Sequence, residues 1–351
     1  MKKHIAVLPG DGVGPEVAAE AVKVLKKIAK KYNHEFTFEE ALIGGAAIDK
    51  VGDPFLKETE ELCLKADAIL FGAIGDPKFD NDPTAKIRPE QGLLRMRKTL
   101  GLYANVRPIM TFEATIDQSP LKREIIEGAD FIVIRELIGG IYFGEKGRQE
   151  NGTKAYDIST YTIQEIERVG VFAFELAQKR RKHLTLVDKA NVLETSRLWR
   201  ETVQKMSKNY PDVEVEYMFV DNAAMQIIKR PTTFDVILTE NMFGDILTDE
   251  ASVITGSIGM LPSASIGAKT SVYEPIHGSY PKAAGQNTAN PIGTILSAAM
   301  LLEYSFGMVE EGKAIREAVN KTLESKIGTK DIYKISFSST QRVGDIVTSF
   351  L

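Results

Sequence analysis

The chain has a single cysteine, Cys63, so it cannot close an internal disulfide. Its setting in Leu62-Cys63-Leu64 reads as a buried thiol of a reducing compartment. A basic excess is also missing: 44 Lys and Arg stand against 48 Asp and Glu, a formal charge of −4, with no long block of one sign. Such a chain has no field with which to hold a nucleic acid or an anionic membrane, and neither partner is expected. Long hydrophobic runs are lacking as well. The longest, Ile295 to Leu302, is interrupted by Ser297 and followed by Glu303, which excludes a membrane span. Near the start only Ile5-Ala6-Val7-Leu8 precedes Pro9-Gly10, too short for the core of a secretory signal, so a cytoplasmic location is the expectation. No internal repeat or low-complexity segment is visible.

What is present is the composition of a globular protein. With 351 residues, 43% of them hydrophobic and 26% charged, the chain is long enough for two domains with their own cores. His4 to Leu8 reads as a buried strand stopped by Pro9-Gly10. A helix opens at Pro15 and keeps Val17, Ala18, Ala21, Val22, Leu25, Ile28 and Ala29 on one face. The loop between them, Gly10-Asp11-Gly12-Val13-Gly14-Pro15-Glu16, spaces its glycines at i, i+2 and i+4. The dinucleotide fingerprint of a Rossmann fold needs i, i+2 and i+5, so that reading is rejected, and a tight turn using positive φ stands beside a functional role. Strand and helix candidates alternate along the rest of the chain, which predicts an α/β fold with a largely parallel central sheet flanked by helices. Gly75 to Gln91 has the polar composition of a functional loop, and Glu145 to Ser159 that of an arm.

The chemistry centres on Phe243-Gly244-Asp245-Ile246-Leu247-Thr248-Asp249. A helix begun near Asn241 puts Asp245 and Asp249 one turn apart on one face, where like charges repel. A hard divalent cation is the obvious counter-charge, although an isolated Asp-x-x-x-Asp is more often a solvated acidic face. Arg97, Arg107 and Arg135 sit at element ends and offer bidentate partners to a di- or tricarboxylate, while each alone reads as a surface arginine. Lys189 and Asp221 each follow a strand and supply a candidate base and a third carboxylate.

These residues carry a resemblance. The loop Gly10 to Glu16, Arg135-Glu136-Leu137 with Gly139-Gly140-Ile141-Tyr142-Phe143-Gly144, Asp188-Lys189-Ala190-Asn191-Val192-Leu193, Phe243 to Asp249 and Glu274-Pro275-Ile276-His277-Gly278-Ser279 resemble, in order and over nearly the whole chain, the isocitrate/isopropylmalate family of metal-dependent β-decarboxylating dehydrogenases. The resemblance implies that family's two-domain fold: residues 1–102 with 256–351 as the cofactor-binding domain, and 103–255 carrying the metal ligands and dimer interface, with an arm near 145–160. It implies a homodimer with sites shared across the interface. Asp245 and Asp249 would ligate Mg²⁺ or Mn²⁺ together with Asp221 of the partner subunit. Arg97, Arg107 and Arg135 would hold the substrate's carboxylates, with Asp221, Glu90, Leu93, Leu94 and Val192 around the rest of it. Lys189, also of the partner subunit, would help remove the hydroxyl proton and Tyr142 would serve the later proton transfer. His277, Gly278, Ser279, Tyr280, Lys282, Ala289 and Asn290 match the cofactor loop.

Two positions bear on specificity. Leu93 and Leu94 stand where isocitrate-specific relatives carry polar residues, which favours an isopropyl group on the substrate and hence oxidative decarboxylation of 3-isopropylmalate in leucine biosynthesis; an ordinary buried helix face is the plainer reading of the pair. Lys282 stands where NAD-using relatives usually carry an acid, but Ala283 replaces the tyrosine that follows the lysine in NADP-using ones, so NAD is the expected cofactor. Two competing readings remain: a related decarboxylase of isocitrate, homoisocitrate, tartrate or malate, and a catalytically silent ligand-binding subunit. Replacing Leu94 with Ser should move the ratio of rates for isopropylmalate and malate toward malate by about 1–3 kcal/mol of discrimination, measured as kcat/KM for each; an unchanged ratio removes Leu94 from the pocket.

Overall fold

The computed structural model describes residues 1–82 and 85–351. Pro83 and Thr84, part of the expected loop Gly75 to Gln91, lie outside the described residues. Two compact units are present: Met1–Gly101 with Phe112–Ser119 and Thr255–Leu351, and Leu102–Thr111 with Pro120–Ile254. Among the described residues no helix is long and apolar enough to cross a membrane.

In the first unit the strands run in the order Glu35–Glu40, Lys2–Gly10, Ala68–Ala73, Val272–Pro275, Pro262–Gly267. The first three pairings are parallel and the last is antiparallel. Ile5, Ala6, Val7 and Leu8 are all buried, as are all of Ala68–Ala73, which is the pattern of parallel strands covered on both faces. Helix Gly14–Tyr32 buries Val17, Ala18, Ala21, Val24, Leu25 and Ile28 and meets helices Ile292–Met300 and Thr340–Ser349. Ile292–Met300 is buried along its whole length, which explains the longest apolar run of the sequence as a core helix. Glycine permits the closest approach here. A Cβ on Gly72 would lie 2.3 Å from the Pro9 carbonyl oxygen, and one on Gly14 2.2 Å from the same atom.

The second unit repeats the logic. Its strands run Leu102–Met110, Asp130–Glu136, Val236–Thr239, His183–Asp188, Glu214–Phe219, with only the first pair antiparallel. Helix Ile163–Lys179 begins with a reciprocal cap: the Thr162 hydroxyl accepts from the Glu165 amide, and the Glu165 carboxylate accepts from the Thr162 amide. The Glu145 to Ser159 segment holds a separate two-stranded hairpin, Lys146–Gln149 against Lys154–Asp157.

Three local readings change. Strand Pro262–Gly267 was not expected, because Ser263 and Ser265 interrupt its pattern; both are buried, and the Ser263 amide donates to the Ser297 hydroxyl at 3.3 Å. Helix Gly45–Val51 was likewise not foreseen. Asp221, read from the sequence as following a strand, lies in the first turn of helix Val220–Lys229.

Candidate active site

The acidic helix is Asn241–Ser252, entered from strand Val236–Thr239 through Glu240. Asp245 and Asp249 do lie one turn apart, but their charge is met within the chain. Arg135, at the end of strand Asp130–Glu136 and only 2% exposed, places Nη1 2.5 Å from Asp245 Oδ1. Tyr142 donates its hydroxyl to Asp245 Oδ2 at 2.8 Å, and the Arg135 guanidinium lies 5.7 Å from the Tyr142 ring centroid. Arg107, buried on strand Leu102–Met110, comes within 3.8 Å of both carboxylates while donating to Asn105 Oδ1 and Thr248 Oγ1. Two guanidiniums therefore stand opposite the two carboxylates and relieve part of the repulsion expected from the sequence. Asp249 remains largely exposed; partial burial raises its pKa against the opposing pull of Arg107. Hard oxygen donors of this kind suit Mg²⁺ or Mn²⁺, and Asp249 is open to receive one.

Lys189 and Asp221 belong to the same unit but to a different cluster. Their side chains pair at 3.1 Å, and Lys189 holds the Asp221 carboxyl below the usual range. Beneath them the buried Asp188 receives two bonds from Arg200 at 2.8 Å and one from the Ala190 amide, which fixes the turn that carries Lys189. Among the described residues, no three His, Cys, Asp or Glu side chains gather as a metal cage. Large apolar side chains around these elements face outward: Val192 is 61% exposed, Ile246 61% and Met225 55%. Ile246 and Met225 sit on neighbouring helices, Asn241–Ser252 and Val220–Lys229.

In the first unit, helix Pro89–Leu100 carries Glu90, Leu93, Leu94 and Arg97 at i, i+3, i+4 and i+7, one face of a helix. Glu90 is exposed, the leucines are half-buried and Arg97 is buried.

The loop expected to meet the cofactor lines a cavity of about 590 Å³ with His277, Gly278, Tyr280, Ala289 and Asn290. Ser279 is buried behind it. Its carbonyl accepts from the Val13 amide at 2.8 Å and would lie 2.0 Å from a Cβ on Gly12, whose φ is +59°. Glycine at position 12 is thus needed for backbone approach to that loop. Asp11 braces the same turn, accepting from the amides of Gly45, Ala46 and Gly75 at 2.9 Å each. Val13, Ala283 and Ala289 form an apolar floor, and His277 Nε2 is buried with no partner among the described residues. Apolar walls with one unsatisfied polar atom fit an adenine ring. Lys282 is exposed on the turn Pro281–Ala283 and is not among the residues that line this cavity. Lys330 and Asp331 line it unforeseen; they are 40 or more positions from the motif, and no local pattern marks them. Asp331 is tied in by Asn290 Nδ2 at 2.9 Å and Thr329 Oγ1 at 2.5 Å.

The family description "Isocitrate/isopropylmalate dehydrogenase" matches residues 4–347. The chain is 59% identical over 332 residues to a 3-isopropylmalate dehydrogenase of Bacteroides fragilis (strain YCH46), covering 95% of this chain and 93% of that protein. It is 57% identical over 337 residues to a 3-isopropylmalate dehydrogenase of Aquifex aeolicus (strain VF5), covering 95% and 92%. The crystal structure of isocitrate dehydrogenase from Methylococcus capsulatus aligns with a TM-score of 0.90 at 31% identity, covering 99% of each chain.

Two buried carboxylates flank the acidic helix. Glu136 accepts from the amides of Ile138 and Gly139 at 2.9 and 2.8 Å, yet burial pushes its pKa up to about 7. Glu240, bonded by the Ser196 hydroxyl, is likewise pushed up by burial to about 7. Both bind protons more tightly folded than unfolded, so the stability they contribute is complete below the ordinary glutamate range near 4.5 and is lost as pH rises through about 7. The drop in unfolding free energy between about pH 5 and about pH 8 should be smaller in Glu136→Gln than in the parent by roughly 2–3 kcal/mol, read from denaturant titrations at the two pH values; equal drops would contradict the assignment.

Proposed function

The chain belongs to the isocitrate/isopropylmalate dehydrogenase family, and we propose that it converts 3-isopropylmalate to 4-methyl-2-oxopentanoate and CO₂, reducing NAD, as the oxidative decarboxylation step of leucine biosynthesis. The observation that carries this reading is the convergence of Arg135 and Tyr142 on Asp245, at 2.5 and 2.8 Å. It joins a carboxylate-binding cation, a proton donor and a metal ligand in one cluster.

When bound, a divalent cation supplies positive charge to the oxygen on C2, and a nicotinamide accepts the hydride from C2. The chain's residues do the remaining work. Lys189 takes the hydroxyl proton as hydride leaves C2, producing a β-keto acid. The C3–carboxylate bond then breaks, its electron pair stays as an enolate, and Tyr142 donates the proton that C3 acquires. We assign Arg97, Arg107 and Arg135 to the substrate's carboxylates, Leu93 and Leu94 to its isopropyl group, and Glu90 and Val192 to its surroundings.

This reading gives the arginine–aspartate pairs a purpose. Arg135 and Arg107 offset Asp245 and Asp249 before catalysis. With the substrate's carboxylates on the arginines, Asp245 and Asp249 would be free to hold a divalent cation. The balance of charge is kept, and neither set is left buried and unpaired.

The cation's third protein ligand is Asp221 of the partner subunit, in a homodimer. The outward-facing Ile246 and Met225 support this, since exposed apolar side chains on adjacent helices suit a helix-to-helix interface. NAD is favoured over NADP because Asp331 in the cavity wall opposes the added charge of a 2′-phosphate, although Lys330 stands beside it.

A panel of 3-isopropylmalate, isocitrate, homoisocitrate, tartrate and malate, each with NAD or NADP and Mg²⁺, tests the proposal. The highest kcat/KM is expected with 3-isopropylmalate and NAD. Preference for another acid would reassign the substrate, and preference for NADP would point to Lys282 and Lys330.

A further inference from the structure

One buried side chain outside the proposed catalytic set touches both Arg135 and the loop that carries Tyr142. Asn241, the first residue of the acidic helix, is 0% exposed. Its Oδ1 accepts from Arg135 Nε at 3.1 Å and Nη2 at 2.8 Å. Its Nδ2 donates to the Gly139 carbonyl at 3.1 Å, and its backbone amide donates to the Tyr161 hydroxyl at 3.0 Å. The orientation of the carboxamide is forced. Arginine can only donate and a carbonyl can only accept, so the oxygen must face Arg135 and the nitrogen Gly139.

Two consequences follow for the geometry. With Nε and Nη2 held by Asn241, the guanidinium plane is fixed and Nη1 is the edge directed at Asp245. The loop that carries Tyr142 is pinned at its base: Gly139 is held by Asn241 through its carbonyl and by Glu136 through its amide. The loop also lies flat on the Tyr161 ring, where a Cβ on Gly139 would come within 2.6 Å of the ring and one on Gly140 within 2.4 Å of its hydroxyl. Tyr161 in turn packs edge-on against the buried Trp199, with centroids 5.4 Å apart.

We propose that Asn241 is a positioning residue that sets Arg135 and Tyr142 together against Asp245, holding Arg135 by its carboxamide oxygen and the loop that carries Tyr142, at the Gly139 carbonyl, by its carboxamide nitrogen. The proposal rests on the functional reading above for its kinetic consequences, but the clamp itself does not. Only a side chain that both accepts and donates at this reach can do both tasks. Aspartate keeps the acceptor for Arg135, loses the donor and repels the Gly139 carbonyl. Serine is too short for either contact.

The test compares Asn241→Asp and Asn241→Ser with the parent dimer, each alone and combined with Tyr142→Phe. With 3-isopropylmalate, Asn241→Asp should lower kcat by about 10- to 100-fold with little change in KM, because the Arg135 contact persists while the Tyr142 loop is released. Asn241→Ser should lower kcat and raise KM together. In the Tyr142→Phe background the kcat loss from Asn241→Asp should largely vanish, whereas a merely structural residue would add its full loss there. Without substrate, amide hydrogen exchange of segment 138–144 should be faster in Asn241→Asp, with the exchange of strand Asp130–Glu136 unchanged. Parent-level protection of 138–144, or a kcat loss that persists undiminished in Tyr142→Phe, would overturn the clamp. Inactivity of the parent toward 3-isopropylmalate would overturn the functional reading, and the exchange result would still decide the clamp.

Discussion

The contact between Arg135 and Asp245 is the constraint on which the second unit's site depends. A guanidinium that is 2% exposed would be costly if left alone, and a carboxylate at 2.5 Å with a carboxamide on its other edge satisfies it. To bring these groups together the chain must end strand Asp130–Glu136 beside the start of helix Asn241–Ser252. That juxtaposition follows from the parallel pairing of Val236–Thr239 with the same strand. Gly244 is part of the same requirement, since a Cβ there would lie 2.7 Å from the Arg135 side chain. The candidate cluster is therefore a product of sheet register, with residues far apart in sequence meeting at the carboxyl ends of neighbouring strands.

Much of this was legible in the sequence. The alternation of buried strands with amphipathic helices gave the α/β class, and Asp245 with Asp249 fell on one helical face because a four-residue spacing leaves little choice. Local patterns also rejected the Rossmann fingerprint correctly, and the reason is now physical: Gly12 makes room for the Ser279 carbonyl. The counter-charge was less legible. From spacing alone a cation is the natural complement of two aspartates. Arg135 and Arg107 meet part of that need from positions more than a hundred residues away.

The residues that sequence reasoning missed share one property: each acts through long-range polar contacts. Asp11 sits inside a glycine-rich loop that drew attention for its glycines, yet its carboxylate ties that loop to two others, at Gly45-Ala46 and at Gly75. Asn241 looked like a helix start and proves to be a buried three-way connector. Asp331 reaches the cavity lined by His277 and Asn290 from a C-terminal loop without periodicity, held there by Asn290 Nδ2. Buried polar partners carry no local signature, because what selects them is the group they face and not their place in a repeat.

In the proposed function Asp245 and Asp249 are half of a site whose other half, Lys189 with Asp221, comes from the partner subunit. Mixing inactive Asp245→Asn dimers with inactive Lys189→Ala dimers under conditions of subunit exchange measures this directly. Each mixed dimer then carries one intact site and one doubly altered site, so random exchange should restore about a quarter of the parent activity. A site built within a single chain would be broken in every subunit, and activity that stays at the background of the separate variants would contradict the account.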